Sequence, residues 1–307
     1  MGLFERLLRR KKRPPPFVWE PTMPVLTVPL DEMDADGRRR DVPYLLPKDE
    51  QEDHRLGYQH FLLRQVLAEH CFAPVHEVLR KGGKVLDVGC GTGIWGREIA
   101  RAYAQTHLIG FDLEEVPSPT PAPRNTQFVQ GNLLTGFPFA AQSFDDVHQR
   151  LVVAAIPLAS WPWVVGELRR VTPAGGWMEL VEMGTAFHRM GPASRQFLQG
   201  WSAISASRGM DASYLSQLGL LLKHAGLSNI RAETRTIPVG KWGGRIGKLL
   251  AQAMLAGWPS MRPLAHALLG VAPEAFNEVM GRLEVEWNSY HTSYEVYVAC
   301  GQVAGKK

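Results

Sequence analysis

Residues 85–93 read Val-Leu-Asp-Val-Gly-Cys-Gly-Thr-Gly, an apolar stretch that carries one carboxylate and ends in three glycines spaced two residues apart. The apolar part predicts a buried strand over residues 84–88, and the glycines predict a tight turn at its carboxyl end. Because glycine has no Cβ, such a turn lets the backbone approach a ligand closely at the edge of a parallel sheet. The stretch therefore indicates a cofactor-binding site.

The spacing of the glycines distinguishes between cofactors. A dinucleotide-binding turn, G-x-G-x-x-G, would need its third glycine at Ile94, and a phosphate-binding loop would need a lysine in the stretch Thr92-Gly93-Ile94. Neither requirement is met, so NAD and ATP are disfavoured. The glycines fall instead at Gly89, Gly91 and Gly93.

A second carboxylate closes the next predicted strand, residues 107–112. Asp112 ends the pattern His-Leu-Ile-Gly-Phe-Asp, 19 residues beyond Gly93. A carboxylate at this point can accept hydrogen bonds from both vicinal hydroxyl groups of a ribose. The two motifs together predict that a nucleoside lies across the carboxyl edge of the sheet.

These motifs resemble the class I, Rossmann-like methyltransferases that depend on S-adenosylmethionine (SAM), whose first motif is an acidic residue followed by G-x-G-x-G. The resemblance implies that residues 128–133 form the third strand and the turn that holds the adenine. Asn132 stands where the family often has Asp, and its side-chain oxygen can accept a hydrogen bond from the adenine amino group. Residues 172–183 resemble the Pro-Gly-Gly turn into the fifth strand.

Residues 44–60 resemble the N-terminal segment of a methyltransferase subgroup that includes fungal regulators of secondary metabolism. In that subgroup a helix lies across the cofactor, and helical spacing places Arg55 and Gln59 one turn apart. The motifs and the resemblance together imply SAM as cofactor, S-adenosylhomocysteine as product, and the following cofactor-binding residues: Tyr44, Arg55, Gln59, His60, Asp87, Gly89, Cys90, Gly91, Gly93, Asp112, Leu113, Gly131, Asn132, Leu133 and His148.

The chemistry of a sulfonium donor sets what the protein must supply. In-line displacement of the methyl group needs alignment, exclusion of water and removal of a proton from the nucleophile, and it needs no metal in principle. His148 is expected just after the fourth strand, where family geometry places the methyl group, so it is a candidate general base or a structural histidine beside the cofactor. Glu182, expected at the end of the fifth strand, is a candidate base or an N-cap of the next helix.

Strands that alternate with helices indicate an α/β fold with helices on both faces of a mostly parallel sheet. The resemblance implies a seven-stranded Rossmann-like sheet with the last strand antiparallel. We divide the chain into a basic tail and extended lead-in (1–43), an N-terminal helical lid over the cofactor (44–82), the SAM-binding core (83–183), and a helical substrate cap with the last two strands (184–307). Predicted helices cover 50–71, 73–81, 94–104, 160–171, 192–207, 211–225, 243–256, 261–269 and 273–287, and the remaining predicted strands cover 126–130, 144–148, 176–183, 228–238 and 294–301.

Composition limits the partners. Residues 1–13 hold six cationic side chains and one acid, so this segment carries +5 and the rest of the chain −1 of the total charge of +4; a nucleic-acid-binding face is therefore not indicated. The tail is expected either to touch anionic lipid or to be a solvated terminus. Three scattered cysteines, no apolar stretch of membrane-spanning length and no secretory signal favour a cytoplasmic protein.

The sequence thus predicts a SAM-dependent methyltransferase that acts on oxygen, nitrogen or carbon of a small metabolite. Tryptophans and methionines concentrated in the second half favour an aromatic or hydrophobic substrate, although such residues also fill ordinary cores. After the fourth strand the chain reads His148-Gln149-Arg150-Leu151 rather than the N/D-P-P-Y/F motif of enzymes that methylate amino groups of bases. The alternative is a SAM-binding regulatory or interaction protein with little or no turnover. The oligomeric state is left open.

Overall fold

The computed structural model describes residues 50–116 and 121–305, so Tyr44 and the predicted tail lie outside the described residues. Within them, seven strands form one sheet in the order β3-β2-β1-β4-β5-β7-β6. Neighbouring strands are parallel except where β7 is a partner, since β7 runs antiparallel to both β5 and β6. The predicted seven-stranded sheet with an antiparallel last strand is confirmed. The strands are β1 (Lys84–Val88), β2 (His107–Asp112), β3 (Thr126–Gln130), β4 (Asp146–Arg150), β5 (Trp177–His188), β6 (Leu227–Pro238) and β7 (Ser293–Val303).

Helices cover both faces of the sheet. The side chains of β1 divide between two apolar clusters: Val85 belongs to one, and Leu86 and Val88 belong to the other. This follows because successive side chains of a strand point to opposite faces of the sheet. The described helices are α1 (Glu50–Leu67), α2 (His76–Arg80), α3 (Ile94–Ala102), α4 (Trp161–Val171), α5 (Pro192–Ser207), α6 (Leu218–His224), α7 (Gly244–Gly257), α8 (Arg262–Leu269) and α9 (Pro273–Ser289). No described helix is long and apolar enough to cross a bilayer.

Helix α1 lies over the glycine turn that follows β1 and also packs against α7. A Cβ built on Gly91, in the glycine turn after β1, would lie 3.2 Å from Cδ1 of Leu56. On the same helix, Arg55 packs against the last residue of α7, where a Cβ on Gly257 would come within 2.3 Å of its Cδ. The N-terminal helix is therefore held between the glycine turn and the helices that follow β6.

Helix α1 ends earlier than predicted. It stops at Leu67 rather than near residue 71, because Ala68 takes a left-handed backbone conformation with φ of 61°. The backbone N–H groups of Phe72 and Ala73 then donate to Oε2 of Glu179 on β5, at 2.6 and 2.7 Å. This side-chain contact holds the connection to α2 in a non-helical form.

Strand β4 begins and ends two residues later than predicted. The N–H groups of Ser143 and Phe144 donate to the carbonyl of Val171 at 2.7 and 3.0 Å, so these residues are tied to the end of α4 rather than to β1. Pairing with β5 continues at the other end, where Arg150 lies opposite Val181. His148 is consequently the central residue of the strand.

The C-terminal elements depart from prediction at two points. Strand β5 continues to His188 because, after an irregularity between Met183 and Phe187, it pairs with β7 again. The helix predicted from residue 211 begins at Leu218, since Oδ1 of Asp211 accepts a hydrogen bond from the N–H of Ser213 and forms a turn.

Candidate active site

The turn after β1 is built from glycines that no other residue can replace without strain. Gly89, Gly91 and Gly93 have φ of 64°, 55° and 68°, in the left-handed region. A Cβ on Gly89 would lie 2.3 Å from Cγ1 of Val152, and one on Gly93 would lie 2.7 Å from the ring of Phe128. The turn therefore packs directly against the loop after β4 and against β3, and it leaves a bare backbone at the edge of the sheet.

Asp112, at the end of β2, is held in place by that turn. Its Oδ2 accepts a hydrogen bond from the N–H of Gly91 at 2.7 Å, and its Oδ1 accepts one from Glu114 at 3.1 Å. The residue is half-buried. A carboxylate has about four acceptor positions, so each oxygen can accept a second hydrogen bond. This arrangement fits the diol of a ribose.

The end of β3 lies against the end of β2. The N–H of Gly131 donates to the carbonyl of Asp112 at 2.8 Å, and the carbonyl of Leu113 accepts from the side chain of Gln130 at 3.0 Å. Leu113 and Leu133 are both half-buried beside this junction. The residues predicted to flank the nucleoside thus lie at one edge.

Besides the acceptor oxygen that the sequence predicts, the side chain of Asn132 offers an unpaired donor. Its Oδ1 already accepts a hydrogen bond from the N–H of Leu134 at 2.9 Å and caps the short helix Leu133–Thr135. Its Nδ2 is buried and has no hydrogen-bond partner among the described residues. An unpaired buried donor fits a ring nitrogen of a purine, which is an acceptor.

Two further predicted residues lie beside the glycine turn. The Sγ of Cys90 would be 3.0 Å from a Cβ on Gly110 of β2, so this thiol fills the space that a missing side chain leaves. Asp87 of β1 is buried, which raises the pKa of its carboxyl group to about 6, and its Oδ2 has no hydrogen-bond partner among the described residues.

A cavity of about 380 Å³ lies between α1, α5, α7 and β5. The loop that follows β4 borders both the cavity and the glycine turn: Val152 packs on Gly89, whereas Leu151, Val153 and Ala154 line the cavity. Most of its other walls are apolar or aromatic, including Met183, Phe187, Trp201, Met210, Leu250, Ala253, Met254, Trp258 and Tyr294. Its polar side chains are Arg55, Gln59, Ser202, Ser205 and Asp211.

Comparison with known proteins agrees with this arrangement. The sequence profile of a family described as a methyltransferase domain matches residues 58–232, more than half of the chain. The chain belongs to this family. It is a SAM-dependent methyltransferase with a Rossmann-like fold, as the sequence predicts.

The relatives of this methyltransferase include enzymes and regulators from fungi. The N-methyltransferase sirN of Leptosphaeria maculans is 30% identical over 221 residues, which cover 70% of this chain and 77% of sirN. The N-methyltransferase gliN of Aspergillus fumigatus is 26% identical over 259 residues, covering 80% of this chain and 91% of gliN. The secondary metabolism regulator laeA of the same species is 33% identical over 150 residues, covering 48% of this chain and 38% of laeA.

The three described residues of α1 that were predicted to bind the cofactor do not all face the cavity. Arg55 and Gln59 line the cavity, and the Oε1 of Gln59 is buried without a hydrogen-bond partner among the described residues. Arg55 is held by Glu52, to which its Nε donates at 2.6 Å. His60 instead points into the protein, where its Nε2 lies 3.1 Å from Oε1 of Glu98. It is fully buried.

His148 is sealed inside the protein. It was expected after β4, and that placement was wrong because the strand is shifted. Its ring stacks on Trp95 with centroids 3.8 Å apart and planes at 8°, and its Nδ1 lies 3.2 Å from Oε1 of Glu179. Only 2% of the residue is exposed. A group so enclosed suits the structural role better than proton transfer to a substrate.

Glu182 is likewise enclosed, in the middle of β5 rather than at its end. Its two oxygens accept hydrogen bonds from the N–H groups of Val152 and Val153, at 3.1 and 3.2 Å. Burial raises the pKa of its carboxyl group to about 8. It therefore holds the loop after β4 rather than capping a helix, and its proton stays on at neutral pH.

Sequence reasoning missed several charged residues beside this site. Arg150, Glu98 and Glu179 are brought together by the sheet and the helices over it, with Arg150 hydrogen-bonded to His60 at 3.2 Å. A signal was available: Asp146, His148 and Arg150 alternate along one strand, which places three ionisable side chains on one covered face.

Proposed function

We propose that this methyltransferase binds SAM at the carboxyl edge of β1, β2 and β3 and transfers the methyl group to a small, largely apolar or aromatic metabolite in the cavity. The observation that carries the proposal is the shared loop after β4, which touches the glycine turn on one side and lines the cavity on the other. A donor at the turn and an acceptor in the cavity would meet beside this loop. A volume of about 380 Å³ is within the range of small-molecule sites.

The residues at the edge suit the parts of the cofactor. The glycine turn offers bare backbone, Asp112 offers acceptors for the ribose, and Asn132 offers an unpaired donor for the adenine. When bound, SAM would supply an electrophilic methyl group on a sulfonium. Helix α1 would exclude water, because Leu56 closes over the turn while Arg55 and Gln59 reach the cavity.

We further propose nitrogen as the methylated atom. A neutral amine nitrogen attacks through its own lone pair, and the resulting ammonium can lose its proton to water, whereas a hydroxyl or carbon nucleophile depends more on a base. The two predicted bases are enclosed: His148 beneath Trp95, and Glu182 beneath Val152 and Val153. The names of sirN and gliN as N-methyltransferases agree with this choice.

The test is incubation with isotopically labelled methyl donor and an extract of the source cell, followed by mass spectrometry of labelled small molecules. A labelled product with the new methyl on nitrogen is expected. Ala253, which lines the cavity, provides a matched variant: Ala253→Phe should block the acceptor and abolish labelling while S-adenosylhomocysteine still binds. Labelling that survives the phenylalanine would contradict the assignment of the cavity.

A second candidate is a SAM-binding regulatory protein with little turnover, because laeA, a regulator by name, shares 33% identity over 150 residues. Calorimetric titration with S-adenosylhomocysteine separates the two. Tight binding with no labelled product of any kind would favour the regulator, and binding with a labelled metabolite would favour the enzyme.

A further inference from the structure

Arg150, the last residue of β4, forms no direct ion pair with any carboxylate of residues 50–116 and 121–305. Its Nη2 lies 3.2 Å from Nδ1 of His60. A guanidinium has five N–H donors, so most of them lack an acceptor. Burial lowers the pKa of this group, yet part of the residue remains accessible. Such a cation at the edge of the sheet is suited to an anionic ligand.

His60 holds this guanidinium without neutralising it. Arginine can only donate, so Nδ1 of His60 accepts and the proton of the neutral ring is on Nε2, which lies 3.1 Å from Oε1 of Glu98. Burial, with a contribution from Arg150, lowers the pKa of His60 to about 4, so the imidazole is neutral at physiological pH. Glu98 is in turn held by Arg64 at 3.1 Å. These contacts hold the side chain of Arg150 in position and leave its charge available to a ligand.

An acid lies near this cation but is not bonded to it. Asp87 lies opposite His148 in the pairing of β1 with β4, and Arg150 is two residues further along the same face. Among the nearby acids, Asp87 does most to raise the pKa of the Arg150 guanidinium, through its negative charge. Its Oδ2 has no hydrogen-bond partner among the described residues. A carboxylate with an unpaired oxygen, beside a guanidinium with no ion-pair partner among the described residues, is complementary to the ammonium and carboxylate of an α-amino acid.

We propose that Arg150 binds the carboxylate at the methionine end of the cofactor, that Asp87 lies next to its ammonium, and that His60 is a positioning residue for Arg150. This inference rests on the proposed function, since SAM carries an amino-acid group. Arg55 is another arginine near the site, but its Nε donates to Glu52 at 2.6 Å and it lines the substrate cavity instead. Arg150, unlike Arg55, has no carboxylate partner among the described residues.

The test compares two ligands by calorimetry: S-adenosylhomocysteine, and 5′-methylthioadenosine, which has the same nucleoside and a thioether but no amino-acid group. Arg150→Met should weaken binding of the first by about 10- to 100-fold, the usual effect of losing a charge-assisted hydrogen bond. It should change binding of the second by less than about threefold. Arg101→Met, at an exposed position of α3, removes the same charge and should change neither affinity.

The positioning role of His60 is tested by a ratio: the affinity for S-adenosylhomocysteine divided by the affinity for 5′-methylthioadenosine. His60→Gln should preserve the ratio, because the amide can accept from Arg150 and donate to Glu98, whereas His60→Leu should lower it. Equal losses for both ligands in Arg150→Met, or no loss for either, would overturn the inference.

A third ligand tests the inference without any variant. The decarboxylated analogue of S-adenosylhomocysteine keeps the ammonium, and wild-type protein should bind it at least about tenfold more weakly than the parent compound. Equal binding of the two would contradict the role of Arg150 while leaving the proposed function intact. Wild-type protein that binds none of the three ligands would contradict the proposed function itself.

Discussion

Replacing Asp112 by alanine tests how the protein recognises a nucleoside. The carboxylate has two tasks: Oδ2 holds the N–H of Gly91 at 2.7 Å, and Oδ1 holds that of Glu114 at 3.1 Å. Its remaining acceptor positions are those we assign to the ribose hydroxyl groups. Alanine removes all of these acceptors, although water can reach the freed backbone groups because the residue is only half-buried.

The expected loss of affinity follows from those contacts. Hydrogen bonds to a charged group contribute about 1.5 to 3 kcal/mol, and solvent access reduces the effect. We therefore expect Asp112→Ala to weaken binding of S-adenosylhomocysteine by about 1 to 3 kcal/mol, or about 5- to 150-fold. Asp112→Asn, which can still accept one hydrogen bond at a time, should lie between the variant and the wild type.

The assay is isothermal titration calorimetry, with thermal unfolding to confirm that each variant is folded. Glu115→Ala is the matched control, because it removes one negative charge from an exposed position three residues away. Its affinity should equal that of the wild type. An Asp112→Ala protein that is folded and binds within twofold of the wild type would refute the assignment of the ribose.

Three further predictions concern stability. Glu179→Ala should lower the free energy of unfolding in urea by about 2 to 5 kcal/mol, since Phe72 and Ala73 would lose their shared acceptor; a loss below about 0.5 kcal/mol would count against this contact. The folded pKa of Glu182, about 8, is raised above its usual 4.5, so this group should make stability fall as pH rises between those values and level off above; Glu182→Gln should remove that part of the pH profile, and an unchanged profile would contradict the shift. Gly93→Ala should destabilise by at least about 1 kcal/mol more than Gly175→Ala, because both glycines have positive φ but only Gly93 would bring a Cβ within 2.7 Å of another side chain; equal losses would exclude that collision as the cause.

The cofactor edge could be predicted because its signals are local. A glycine turn directly after an apolar strand, and an acid at the end of the next strand, each occupy a few consecutive residues, and β1, β2 and β3 begin and end as predicted. Asp87 and Asp112 are therefore in the expected positions. Local patterns of this kind do not depend on which distant segment pairs with them.

The positions of the side chains inside the site depend on which distant segments pair with each other. No local sequence pattern contains that information. Strand β4 is shifted because Ser143 and Phe144 bond to the end of α4, and this shift moves His148 from the edge into the core. The orientation of His60 follows from Glu98 and Arg150, which belong to α3 and β4. The sequence predicted only that His60 binds the cofactor and did not indicate which side chains it contacts.

The same limit applies to the substrate cavity. Its walls come from α1, α5, α7 and β5, so the residues that meet there are far apart in the sequence. The abundance of tryptophan and methionine indicated a pocket in the second half, but it did not distinguish Trp258, which lines the cavity, from Trp287, which is fully buried.

The central claim is that a nucleoside binds across the carboxyl edge of the sheet. A crystal structure of the wild-type protein with S-adenosylhomocysteine tests it most directly. We predict electron density for the ligand with its ribose hydroxyl groups in hydrogen-bond contact with Asp112 and its sulfur facing the loop after β4. Density for the ligand at any other place, or an edge of the sheet that stays empty at saturating ligand, would contradict the account.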